Sequence, residues 1–334
     1  MEPVRLFRAA LLLAALVWLN SPAHAQENPQ EKTQAIQVSV DRVNVGVIVT
    51  DSNGHFVEGL HREDFHIIDN GVAQPLTDFA AIEAPAQVLL LIEAGPAVYL
   101  LEGGHLEAAL ALLNGLSPDD RVAVVKYAEA PTALLDFTTN KQAAEAAFGH
   151  LRFNLGFSSL NLSLSVSKTL EWLASVQGKK SIVLLSTGVD TSPSNEATMV
   201  MQKLKISDVR LLAVSLIGGL QNPQTANKKK SPAKSSTEAA QQFEQADQLL
   251  KRMAESTGGR AYFPRNANEF SAAYAEIAQL VRHEYSLAFV PPARDGLVHA
   301  IEVRVDGPRA STPNAQFPAY RVDHRRAYPT PAPK

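Results

Sequence analysis

The sequence predicts an α/β protein: a doubly wound, mostly parallel sheet inserted in a small all-β, sandwich-like unit formed by both flanks of the chain. Three observations carry this prediction. Between residues 83 and 283, short continuous apolar runs such as Gln87–Ile92 and Ser181–Leu185 alternate with stretches of helical period. That is the signature of parallel strands buried on both faces and joined by crossover helices. Outside that span, residues 35–82 and 284–325 show period-2 alternation, as half-buried antiparallel strands do. Each flank is about 45 residues, too few to build a stable core without disulfides or metal, and the chain has no cysteine. The flanks are therefore expected to pair with each other.

Taken in order, the chain opens with Arg5 and Arg8, an apolar run Ala9–Leu19, and Ala23-His24-Ala25. This reads as a secretory signal peptide over residues 1–25. The apolar run is too short to cross ~30 Å of hydrocarbon at ~1.5 Å per residue, and no other stretch approaches the ~18 apolar residues of a spanning helix. No membrane span is expected after cleavage, and the protein is expected in the periplasm or outside the cell. Residues 26–34 are polar and read as a flexible leader. In the first β segment, 35–82, Ile36, Val38 and Val40 alternate with polar residues; after a slip at Asp41-Arg42, so do Val43, Val45, Val47 and Val49. Asp51-Ser52-Asn53-Gly54 and Asp69-Asn70-Gly71 are turns.

Within 83–283, strands are expected at Gln87–Ile92, Arg121–Tyr127, Thr132–Phe137, Ser181–Leu185, Val209–Leu216 and Arg260–Phe263. Helical faces are formed by Leu106, Leu110, Leu113 and Leu116; by Leu162, Val166, Leu170 and Leu173; by Phe243, Ala246, Leu250 and Met253; and by Phe270, Tyr274, Ile277 and Val281. Further helices are expected near 141–151 and 197–206. Residues 218–239 are polar, include Lys228, Lys229, Lys230 and Lys234, and read as a disordered insertion. Alternation returns at Tyr285, Leu287 and Phe289, then at Ile301, Val303 and Val305, with a last strand near Tyr320–Val322. Residues 326–334 are proline-rich and read as a flexible tail.

Bulk composition excludes several classes of function. A net charge of −3 gives no electrostatic basis for binding nucleic acid, and without cysteine there is no thiolate metal site or cysteine nucleophile. No G-x-S-x-G elbow, Walker loop or G-x-G-x-x-G run follows a strand. Asp51-x-Asn53-Gly54 opens like an EF-hand loop, but Arg62 stands at its twelfth position, so a β-turn is expected. His61 and His66, five residues apart, point to different faces of a strand and make no zinc pair. Asp119-Asp120 lie at the amino end of a strand and read as turn residues.

In a doubly wound sheet, ligands bind at the carboxyl ends of the strands, here the loops after Ile92, around 151–158 and after Leu185. The phrases VLLLIEAG, SPDDRVAVVKYAE, SIVLLSTGVDTS, GGRAYFP and HEYSLAFVPP, taken in order with the preceding 43–79 segment, resemble von Willebrand factor A domains. Over roughly 36–306 the chain resembles the bacterial VWFA-related proteins of acidobacterial type. The resemblance implies a VWA/Rossmann-like sheet and a metal-ion-dependent adhesion site, built from an Asp-x-Ser-x-Ser run, a Thr and a second Asp around one divalent cation. Carried over, the run becomes Glu93-Ala94-Gly95-Pro96-Ala97, Ser158 stands for the Thr, and Thr187 stands for the second Asp, with Asp190 three residues on. Glu93, Gly95, Ala97, Ser158, Thr187 and Asp190 therefore line a degenerate site. One carboxylate and two hydroxyls make a poor site for a hard cation, so no metal or cofactor is expected. The reading is a non-catalytic, adhesion-type module with a protein partner. Two alternatives stand beside it: a weak Mg²⁺- or Mn²⁺-dependent binder using Glu93, Ser158 and Asp190, and a periplasmic hydrolase with an unrecognised site.

Overall fold

A computed structural model describes residues 42–82, 85–99, 104–151, 159–220, 235–306 and 320–333. The expected signal peptide, leader and first strand residues (Ile36, Val38, Val40) lie outside these residues, as do Ser158 and the lysines at 228–230 and 234. The first flank forms β1 (Val43–Thr50), a 3-10 turn at Arg62–Asp64, β2 (Phe65–Asp69), β3 (Val72–Gln74) and β4 (Asp78–Ile82). The central region forms β5 (Ala86–Glu93), α1 (Pro96–Tyr99), α2 (Gly104–Gly115), β6 (Arg121–Tyr127), β7 (Pro131–Thr138), α3 (Lys141–Gly149) and α4 (Leu162–Leu173). It continues with β8 (Lys179–Ser186), α5 (Ser194–Ile206), β9 (Val209–Ser215), α6 (Ile217–Leu220), α7 (Ser235–Ser256), β10 (Ala261–Tyr262) and α8 (Ala267–Arg282). The second flank forms β11 (Glu284–Phe289), β12 (Val298–Val305), β13 (Arg321–His324) and β14 (Ala327–Pro329).

The central sheet has the order β10-β9-β8-β5-β6-β7, parallel except for the antiparallel edge strand β7. Period-2 geometry divides each buried strand between two cores. Val88, Leu90, Ile92, Val122, Val124, Val183 and Leu185 pack with Leu112, Phe148, Phe270, Tyr274 and Ile277 on one side. Leu89, Leu91, Ala123, Val125, Ile182 and Leu184 pack with Leu162, Val166, Leu173, Val200, Leu250 and Met253 on the other. Asp120 does more than form a turn: its carboxylate accepts Ala86 N at 2.7 Å and Ser117 N at 2.7 Å, fastening the start of β5.

Both flanks contribute to each of two four-stranded sheets, β13-β1-β11-β4 and β14-β12-β2-β3. β1 runs antiparallel to β11 and β13, and β12 antiparallel to β2 and β14. Val43, Val45, Val47 and Val49 meet Phe65, Ile67, Tyr285, Phe289, Ile301 and Tyr328 in the core between the sheets. The intervening Ile48 points the other way and joins the α/β core.

Two expectations are corrected. Residues 326–334 are not wholly a loose tail, because Ala327–Pro329 pairs with β12 and Tyr328 is buried against Phe289 and His299. Proline is tolerated there because β14 is an edge strand. The expectation of disorder over 218–239 fails at both ends: a helical turn reaches Leu220, and α7 begins at Ser235, in a stretch rich in strong helix formers such as Ala239, Ala240 and Gln241. Residues 221–234 lie outside the described residues.

Candidate functional site

The sheet order reads 3-2-1-4-5-6 when its strands are counted along the chain, so the winding reverses between β5 and β8. The crevice at their carboxyl ends is where such a fold presents a ligand site, and Glu93 is the last residue of β5. In register, Glu93 lies opposite Tyr127 of β6, while Ile92 lies opposite Leu185 of β8. Counting in twos from Leu91, Val125 and Leu184 puts Glu93, Tyr127 and Ser186 on the same face.

The side chains meet there. One Glu93 oxygen accepts Thr187 N at 2.7 Å, Thr187 Oγ1 at 2.8 Å, Ser186 Oγ at 3.1 Å and Tyr127 OH at 3.2 Å. The other oxygen is 3.0 Å from Thr187 Oγ1. Tyr127 OH and Ser186 Oγ share a further bond of 2.7 Å, and Ser186 Oγ accepts Gly188 N at 2.7 Å. Glu93, Tyr127 and Ser186 are fully buried, and Thr187 is 2% exposed. Burial raises the Glu93 pKa against the pull of these donors. Burial, then the neighbouring Glu93 charge, raises that of Tyr127.

The surrounding loops close over this cluster. A Cβ on Gly95 would come within 2.9 Å of Leu160 and 3.2 Å of a Glu93 oxygen. Gly188 has φ +71°, and a Cβ there would meet the Ala246 carbonyl at 2.6 Å; only glycine suits that position. Leu160 is held by Thr191, whose N–H donates to Leu160 O at 2.8 Å and whose hydroxyl accepts Leu160 N at 2.8 Å.

The structure brings Glu93, Gly95 and Thr187 together. Ala97 lies in α1, just beyond Gly95, and Ser158 is outside the described residues. Asp190 is committed elsewhere. One of its oxygens accepts Ser163 N at 3.3 Å and the Ser163 hydroxyl, and the other accepts Ser192 N at 3.0 Å. It caps α4 from a distance, since Asn161 at the N-cap makes no side-chain cap bond. A third acid at this edge, Asp247 of α7, accepts Ser215 Oγ at 2.6 Å, and burial raises its pKa. Sequence reasoning missed Tyr127, Ser186 and Asp247. The first two were accessible through strand parity; Asp247 was not, because its position depends on where α7 packs.

No family model matches the chain. A UPF0353 protein of Mycobacterium avium is 26% identical over 190 residues, 53% of each chain, so this chain spans about half the length of the curated relatives it matches. Among solved structures, a von Willebrand factor type A protein from Catenulispora acidiphila aligns with 87% of this chain and 75% of its own, at 11% identity and TM-score 0.45. An aerotolerance-related membrane protein from Bacteroides fragilis aligns with 59% of this chain and 98% of its own, at 12% identity and TM-score 0.43. No helix among the described residues is long and apolar enough to cross a membrane.

Proposed function

We propose that this chain is an exported, non-catalytic interaction module that engages a protein partner through the loops at the carboxyl edge of its parallel sheet. In this reading, a sealed hydrogen-bond cluster stands where related folds keep a metal-ion-dependent adhesion site. The observation that carries it is Glu93, a fully buried carboxylate whose oxygens already accept donors from Thr187, Ser186 and Tyr127. Mg²⁺ requires about six oxygen ligands in near-octahedral array. Here the Thr187 N–H and hydroxyl donate to the one carboxylate, Tyr127 and Ser186 bond each other beside it, and Asp190 and Asp247 serve other partners. This donor set does not fit a divalent cation.

The rim above the cluster supplies a contact surface instead. Val189 is 38% exposed, and Pro96, Ser159, Thr191 and Pro193 are exposed around it. Recognition then rests on shape and ordinary polar contacts. Capture from the envelope fraction of the source organism tests this: a partner retained by the wild-type chain and lost with Val189→Asp supports the reading. Recovery of no partner, or equal recovery by both chains, refutes it. Calorimetric titration with Mg²⁺ and Mn²⁺ is expected to show no saturable heat. Heat that disappears in Glu93→Ala would establish the metal-dependent alternative.

A further inference from the structure

At the opposite edge of the parallel sheet, a cavity of about 560 Å³ opens between the amino ends of β8 and β9 and the sandwich strands β1 and β11. A second cavity, of about 520 Å³, shares Arg325 and Asp208 with it. Four cationic side chains line the first: Lys179, Lys180, Arg210 and Arg325. Two acids, Asp208 and Glu284, face them.

The acids are already committed. Lys180 Nζ lies 2.8 Å from Asp208, and Arg210 lies 3.4 Å from Glu284 while also donating to Gly258 O at 2.7 Å. Lys179 and Arg325 make no ion pair within 4.0 Å among the described residues, and Glu284 and Asp208 act on them only at longer range. Lys179 donates to one carbonyl, Arg282 O, at 2.7 Å, and Arg325 to one carbonyl, Asn44 O, at 2.7 Å. The Arg282 carbonyl ends α8 and the Asn44 carbonyl belongs to β1; each uses one donor, whereas an ammonium offers three and a guanidinium five. Arg325 Nε is buried with no hydrogen-bond partner. Two cations in excess, in a cleft of the size of a small-molecule site, leave charge uncompensated at a cost.

We propose that this groove binds a small oxyanion-bearing ligand, its phosphate or carboxylate headgroup placed between Lys179 and Arg325. A guanidinium fork and a point-charge amine suit such a headgroup. The ligand would touch the base of the α/β sheet and the sandwich at once, so binding would stabilise both together.

The test uses the full chain and two probes, inorganic phosphate and succinate, titrated against chloride at constant ionic strength by calorimetry and thermal unfolding. At ten times Kd, saturable binding raises Tm by about 2–3 °C. Lys179→Gln and Arg325→Gln each weaken it by about tenfold or more. Asp208→Asn, which removes a competing acid, tightens it, an opposite effect that loss of stability does not mimic. If Arg325→Gln fails to fold, Lys179→Gln and Asp208→Asn decide the matter. Phosphate bound with succinate silent assigns a phosphate headgroup, and the reverse assigns a carboxylate. No saturable binding of either probe, or binding unchanged in Lys179→Gln and Asp208→Asn, overturns the proposal.

Discussion

At Glu93, burial and hydrogen bonding act on the carboxyl in opposite directions, and burial is the larger effect. A folded-state pKa raised above the unfolded value stabilises the fold at pH below the unfolded pKa, and that contribution is lost as pH rises through the folded value. The charged form of Glu93 is thus a net cost to the fold, which the surrounding donors limit. Glu93→Gln keeps the volume and an acceptor for the Thr187 N–H without the charge, and is expected to change stability by no more than about 1 kcal/mol. Glu93→Ala leaves the Thr187 N–H and hydroxyl buried without their acceptor and opens a void, costing about 2–4 kcal/mol. Urea denaturation of both variants checks this. An alanine variant as stable as wild type would mean that the cluster carries no structural weight.

Among the elements, α4 depends on a residue remote from it in sequence. The Asp190 carboxylate accepts from the first turn of the helix, supplying the cap that Asn161 does not and placing negative charge at the positive end of the helix dipole. Asp190→Ala should cost about 1 kcal/mol and increase amide exchange across the start of α4. The sandwich carries a pH-sensitive joint between β12 and β13. His324 is 1% exposed; its Nδ1 donates to Arg325 O at 2.7 Å and its Nε2 accepts Val303 N at 3.1 Å. Burial holds its pKa down at about 4. A depressed folded-state pKa means stability present above the unfolded value of 6.5 and lost as pH falls through about 4. The full loss is about 3 kcal/mol, because a second ring proton would face the Val303 N–H. Unfolding monitored between pH 7 and pH 4 should show this decline, and His324→Gln should flatten it. Identical pH profiles for the two chains would rule out the joint.

At the scale of the whole molecule, the α/β unit and the sandwich are locked by Arg260. Its Nε lies 2.7 Å from Asp323, and its two terminal nitrogens reach Glu276 at 2.7 Å and Thr50 at 2.9 Å. These partners come from β13, α8 and β1, so one side chain holds both flanks of the chain against the central sheet. Arg260→Leu leaves Asp323, 7% exposed, with only the exposed Arg321 as counter-ion, and should destabilise by up to about 3 kcal/mol. Replacing Asp323 with Asn in the same chain should recover part of that loss, because the stranded charge is then gone. A double variant no more stable than Arg260→Leu alone would contradict this account.

The fold was legible in the sequence to the extent that periodicity governs it. Continuous apolar runs marked β5, β8 and β9, and alternation at Val43–Val49 and Tyr285–Phe289 marked the paired flanks, because burial on two faces or one imposes those patterns on any chain. β14 was not legible, since Tyr328 and three prolines read as a tail until Phe289 and Asp69 are in place beside it. In the candidate site, the substitutions at 93 and 187 were visible as letters. What replaced the metal ligands was not, because Glu93 finds Thr187, 94 residues away, only once β5 and β8 lie side by side.

By itself, then, the sequence determined the order and type of most of the elements, the joining of the two flanks and the poverty of acidic ligands at the crest. Only the tertiary structure decided where each remaining acid spends its hydrogen bonds, and that Lys179 and Arg325 face a common groove with no direct ion pair of their own. The physical reason is range. Side-chain periodicity is a local consequence of backbone geometry, whereas the pairing of a buried charge depends on neighbours that only the packed chain brings within about 3 Å.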